Sequence, residues 1–173
     1  RCAEICRELA GGRTLERALD LGCATGRASF ELARFCTHVD GIDFSARFIR
    51  VCHQLQEHGT LRWTVPDEGD LVSYRETSLA ALGLPARGQG GDGLADPAGR
   101  VEFRQGDAHN LKPHLRDYDL VLAANLVDRL YDPARFLADL PARLRPGGLL
   151  VLLSPYTWLE EFTPKEKWLG ARK

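Results

Sequence analysis

Between Leu15 and Arg27, LERALDLGCATGR sets a short apolar run against two glycines four positions apart, Gly22 and Gly26. The run reads as a strand over 17–21. The following RASFELARFC repeats apolar residues at i, i+3 and i+4, with Phe30, Leu32, Ala33, Phe35 and Cys36 on one helical face. A strand that turns through glycines straight into a helix constrains this chain more than any other feature. Gly22 permits the tight turn, and Gly26 lets the helix start lie close to a ligand.

The pattern then repeats. Cys2 to Leu9 reads as a helix stopped by Gly11 and Gly12. THVDGIDFS is a second strand ending at Asp43, and SARFIRVCHQLQEHG a helix capped by Ser45 and closed by Gly59. RVEFRQGDA and YDLVLAANL are further strands. DPARFLADLPARLRPGG reads as an amphipathic helix ended at Gly147 and Gly148, and LLVLLSP as a strand buried on both faces. Alternating strands and helices predict an α/β fold, a doubly wound, mostly parallel sheet. In such sheets ligands bind beyond the carboxyl ends of the strands. The segment at about 61–100 breaks the rhythm and reads as an insertion with one or two short elements, ending in the loop ARGQGGDGLADPAG.

With 23 Lys and Arg against 24 Asp and Glu, the net charge of −1 provides no general field for a polyanion, so no nucleic-acid partner is expected. The five cysteines, Cys2, Cys6, Cys23, Cys36 and Cys52, form no CxxC pair and read as reduced small hydrophobes of a cytoplasmic protein. No apolar run reaches the roughly 18 residues of a membrane span, so no membrane association is expected. His53 and His58, like His109 and His114, miss the i, i+4 pair of helical zinc sites, so no metal is expected. The 173 residues suit one domain. The chain opens on Arg1 and has no methionine, which reads as a fragment of something longer.

Asp43 lies about 20 residues past the glycine turn, where a carboxylate accepts from both hydroxyls of a ribose. A nicotinamide dinucleotide and S-adenosylmethionine both use that arrangement. GCATG lacks the middle glycine of the dinucleotide pattern, and Asp20 at the end of the first strand would repel a pyrophosphate. The same carboxylate can pair with a methionine ammonium, which favours the sulfonium cofactor. After the third main strand, Asp107 is placed to accept from an adenine amino group and Ala108 to offer its amide.

ALDLGCATG, the acid of DGIDFS, GDA, and RPGG before an apolar strand together resemble the class I S-adenosylmethionine-dependent methyltransferases. The resemblance implies their Rossmann-like sheet, here lacking its last two strands. It implies a cofactor site of Asp20, Gly22 and Gly26 at the methionine end, Asp43 at the ribose, Asp107 and Ala108 at the adenine, and Asn125 closing the cleft, with Phe44 also binding the cofactor. GIDFSARFI, VEFRQGDAHNLKP, YDLVLAANLVDRLYDP and SPYTWLEEFTPKEKWLG resemble, more narrowly, the 5-thiohistidine N-methyltransferase domains of ovothiol biosynthesis. That resemblance implies a small thiohistidine-like substrate and a parent protein that also carries iron-dependent sulfoxide synthase domains. A different small-molecule substrate, or an idle cofactor-binding module, is the alternative.

Methyl transfer needs alignment rather than a dedicated acid–base pair, so no catalytic residue is singled out. Asn125, Asp128, Tyr156, Trp158, Glu160 and Glu161 are the substrate-contact candidates, with about 155–173 as a lid or amphipathic helix. Tyr and Trp suit stacking on an imidazole, and carboxylates suit an ammonium.

Overall fold

The computed structural model describes residues 1–84 and 96–170. Most of the expected glycine-rich loop therefore lies outside the described residues. In chain order the elements are α1 (Cys2–Leu9), β1 (Leu15–Leu21), α2 (Arg27–Leu32), β2 (Cys36–Asp43), α3 (Ala46–His58), β3 (Thr60–Pro66) and β4 (Val72–Ser78). There follow β5 (Val101–Gln105), β6 (Tyr118–Ala124), α4 (Pro133–Asp139) and β7 (Leu144–Leu153).

Five strands form one parallel sheet in the order β5-β2-β1-β6-β7. Strand order reverses beside β1, so the crevice at the carboxyl ends of β1 and β6 is the switch point where such sheets bind ligands. β3 and β4 form a separate antiparallel hairpin within the expected insertion.

Side chains alternate across the sheet and build two cores. Phe30, Leu32, Phe103, Leu120 and Leu122 pack with α1, α2 and α3 on one face. Leu19, Leu21, Tyr118, Val121, Phe136 and Leu140 pack with α4 on the other. α3 begins at Ser45, whose hydroxyl accepts from the Phe48 N–H, and ends at Gly59 in a left-handed conformation, as its sequence predicts.

Four local expectations are corrected. Cys36 opens β2 rather than closing a helix. The helix expected to run to Gly147 stops at Asp139, because Pro141 has no N–H to continue the ladder, and a 3-10 turn follows. Gly147 and Gly148 lie inside β7. A Cβ on Gly148 would sit 2.8 Å from the Tyr118 carbonyl oxygen, so only glycine admits this backbone approach. β7 is an edge strand rather than one buried on both faces: Leu150 is 38% and Leu152 41% exposed. The 155–170 segment contains no α-helix; Pro164 interrupts it, and only Lys165–Lys167 forms a 3-10 turn.

Among the described residues, no helix is long and apolar enough to cross a membrane.

Candidate functional site

The glycine turn is tied to β2 at its entry. The N–H groups of Gly22 and Cys23 donate to the Ile42 carbonyl at 2.8 and 3.1 Å. Asp43, the last residue of β2, accepts from the Ala24 N–H at 2.9 Å through Oδ2 and from the Ser45 N–H at 2.8 Å through Oδ1. Its carbonyl accepts from Gly106 N–H at 2.9 Å. The ends of β1, β2 and β5 are thereby drawn together around Asp43, through its carboxylate and its backbone carbonyl.

A cleft of about 550 Å³ opens at this edge. Gly22, Asp43, Phe44, Asp107, Ala108 and Glu161, each singled out from the sequence, line it. The volume falls within the usual range for a small-molecule site.

The other candidates lie off the cleft lining. Asp20 is buried and accepts from Ser29 Oγ at 2.6 Å. Burial, opposed by that hydroxyl and assisted by the charge of Asp43, lifts its carboxyl to about 6. Gly26 adopts φ +83°, and a Cβ there would lie 2.7 Å from the Phe103 ring. Its missing side chain therefore accommodates core packing, where a close ligand approach was expected.

Asp128 is fully buried. It accepts from Ser154 Oγ (3.1 Å), Thr157 N–H (3.1 Å), Thr157 Oγ1 (3.0 Å) and Arg129 Nη1 (3.0 Å). Burial alone would raise its pKa; the hydrogen bonds from Thr157 and Ser154 and the Arg129 charge bring it below the usual carboxylate range. Asp128 thus fastens the chain after β7 to the chain after β6. Asn125 and Tyr156 are exposed and hold left-handed backbone, with φ of 55° and 52°. Trp158 packs against the α4-side core and stacks on Trp168, with centroids 6.3 Å apart, and Glu160 is exposed.

Sequence reasoning missed the far wall, formed by Leu126, Arg129, Leu130, Tyr131 and Phe162. Arg129 donates to the carbonyl and hydroxyl of Thr157 and lies over the Phe162 ring at 5.3 Å. His109 lines the cleft and packs against the Tyr131 ring, with centroids 4.1 Å apart and the planes tilted by 34°. Its Nε2 lies 2.9 Å from the Asp132 carbonyl, which only accepts, so Nε2 carries the proton. The segment LVDRLYDP was the available signal, for it follows a strand at the ligand-binding edge.

Among the described residues, one trio offers ligand atoms within 4.8 Å of one another: His38, Asp40 and Glu102. Arg104 bonds Asp40 at 2.6 Å and pairs with Glu102, filling the place of a cation.

Two curated relatives resemble the chain. The ubiquinone biosynthesis O-methyltransferase of Marinobacter nauticus is 27% identical over 133 residues, 77% of this chain and 41% of that protein. The ribosomal RNA small subunit methyltransferase C of Alcanivorax borkumensis is 27% identical over 150 residues, 84% of this chain and 35% of that protein. The chain thus spans less than half the length of either. A TehB-like SAM-dependent methyltransferase from Corynebacterium glutamicum has a similar fold, with a TM-score of 0.55 and 18% identity over 87% of this chain and 60% of that one. The family described as "Methyltransferase domain" matches residues 1–172. With its parallel sheet in the class I arrangement, the chain belongs to the methyltransferase domain family.

Proposed function

We propose that this domain uses S-adenosylmethionine to methylate an imidazole nitrogen of 5-thiohistidine. The observation that carries the reading is the cleft itself. Gly22, Asp43, Asp107 and Ala108 border one side, and Tyr131, Phe162 and Glu161 the other. The cofactor fits this lining by charge, because Asp43, Asp107 and Glu161 face it while Arg129 is engaged by Asp128. Such a cleft attracts a sulfonium and repels a pyrophosphate.

When bound, S-adenosylmethionine supplies an activated methyl group. Asp43 keeps lone pairs beyond those used by Ala24 and Ser45, and these accept from the ribose hydroxyls. Asp107 accepts from the adenine amino group, and Phe44 covers the nucleoside. Phe162 and Leu130 exclude water, Tyr131 stacks on the acceptor ring, and Glu161 holds its ammonium group. Neutral imidazole, with an ordinary pKa of about 6.5, is nucleophilic at neutral pH without a protein base. Catalysis is therefore positional. The thiohistidine assignment is supported by the distinctive SPYTWLEEFTPKEKWLG, which supplies Glu161 and Phe162. On this reading the parent protein carries iron-dependent sulfoxide synthase domains, whose product this domain consumes.

The test is a mass-spectrometric methylation assay of the full-length protein with S-adenosylmethionine and, separately, 5-thiohistidine, histidine, a catechol and ribosomal RNA. Methylation of 5-thiohistidine in preference to the others is expected. Methylation of another acceptor overturns the substrate, and cofactor binding without turnover identifies an idle module.

A further inference from the structure

Among the described residues that line the main cleft, Arg129 is the single Lys or Arg. Resting on the function proposed above, we infer that Arg129 selects the acceptor: its guanidinium holds the carboxylate of an α-amino acid.

The five N–H donors of this guanidinium are only partly engaged. The two hydrogens of Nη1 serve the Thr157 carbonyl at 2.8 Å, the Asp128 carbonyl at 2.9 Å and Asp128 Oδ2 at 3.0 Å. One hydrogen of Nη2 goes to Thr157 Oγ1 at 3.1 Å. Among the described residues, nothing accepts from Nε or from the second hydrogen of Nη2. Those two N–H bonds run parallel along one edge of the plane, the fork that matches both oxygens of a carboxylate. Thr157 holds the opposite edge and the Phe162 ring lies 5.3 Å beneath, so the open fork is oriented before a ligand arrives. The side chain is 35% exposed and can be reached from the cleft.

Charge and position assign the ligand. Asp128 does not cancel Arg129 alone, because Ser154 Oγ and the N–H and hydroxyl of Thr157 share that carboxylate. Glu161 precedes Phe162, the ring that Arg129 covers, so an acid and a guanidinium stand on neighbouring parts of one wall, beside Tyr131. That wall suits a zwitterion with a ring: ammonium at Glu161, carboxylate at Arg129, imidazole at Tyr131. The near side carries Asp43 and Asp107, which repel an acid group. A carboxylate could come from the acceptor or from the amino-acid end of the cofactor, and its place on the far wall favours the acceptor. An amine that lacks the acid leaves the fork unpaired in the closed site, and a site built around such a pair rejects it.

The test uses the full-length wild type, Arg129→Gln and Arg129→Lys. Methylation kinetics are measured with 5-thiohistidine and with its decarboxylated analogue 5-thiohistamine, and S-adenosylhomocysteine binding by titration calorimetry. The wild type should prefer 5-thiohistidine by roughly tenfold or more in kcat/KM. Arg129→Gln should lower kcat/KM for 5-thiohistidine by about that factor, chiefly through KM, and lower that for the analogue far less. Arg129→Lys keeps the charge beside Asp128 without the fork, so its preference should fall between. S-adenosylhomocysteine affinity should stay within about twofold throughout. A wild type that accepts both compounds equally, or variants that lose equally on both, overturns the inference and leaves the proposed function standing. A fall in S-adenosylhomocysteine affinity with the acceptor preference kept gives the carboxylate to the cofactor, which also overturns it. Wild-type protein that binds S-adenosylhomocysteine and methylates neither compound overturns the proposed function, and the role of Arg129 with it.

Discussion

Asp43 and Ala24 are joined across the carboxyl edge of the sheet, the carboxylate accepting from the backbone N–H at 2.9 Å. This bond helps hold Ala24 at φ 48°, a left-handed conformation that side-chain-bearing residues rarely adopt. One acid therefore shapes the turn and borders the cleft the turn encloses.

Asp43→Ala removes the acceptor for both Ala24 and Ser45. We expect titration calorimetry to show S-adenosylhomocysteine affinity reduced by more than about tenfold, and urea unfolding to show a loss of about 1–3 kcal/mol. Asp43→Asn, which retains one acceptor oxygen, should fall between. Unaltered affinity in the alanine variant would remove Asp43 from the site.

The buried Asp20 makes stability depend on pH. Its folded pKa of about 6 exceeds the ordinary carboxylate value, so folding favours the protonated form. The stabilisation is complete below about pH 4 and is lost as pH rises through about 6. Asp20→Asn does not titrate there. Its stability relative to wild type should improve by about 3 kcal/mol between about pH 4 and about pH 8, read from urea midpoints.

Gly26 and Gly147 separate backbone strain from packing. Both have positive φ, +83° and +78°, but a Cβ meets Phe103 at 2.7 Å only at Gly26, and nothing within 4 Å at Gly147. Gly147→Ala should cost about 1–2 kcal/mol from backbone strain alone. Gly26→Ala should cost about 1–3 kcal/mol more. Equal denaturation midpoints for the two variants would contradict the clash.

Asp128→Ala leaves Ser154, Thr157 and Arg129 without their shared acceptor. We expect a loss of about 3 kcal/mol and release of the segment carrying Glu161 and Phe162 from the cleft wall. Trypsin should then cut after Lys165 and Lys167 several-fold faster, roughly in proportion to the open population. A digestion rate equal to that of wild type would show that Asp128 does not fasten this segment.

Much of the frame was legible locally. Strand β1, the turn at Gly22, the interval to Asp43 and the Ser45 and Gly59 caps all follow from periodicity and turn chemistry within a few residues. The cleft's near side was legible because strand ends in a parallel sheet converge there. Its far wall was not, because Arg129, Phe162 and Thr157 meet through contacts spanning about 30 residues of chain.

The sequence by itself determined the alternation of elements and which acids stand at the strand ends, since hydrophobic period and glycine position act on neighbouring residues. Only tertiary structure decided that Gly26 makes room for Phe103, that Asp128 fastens a distant segment, and that β7 starts at Leu144 with its glycines inside. Those outcomes depend on which side chains and backbone groups lack room or a partner once the chain is folded, and distant parts of the chain set those conditions jointly.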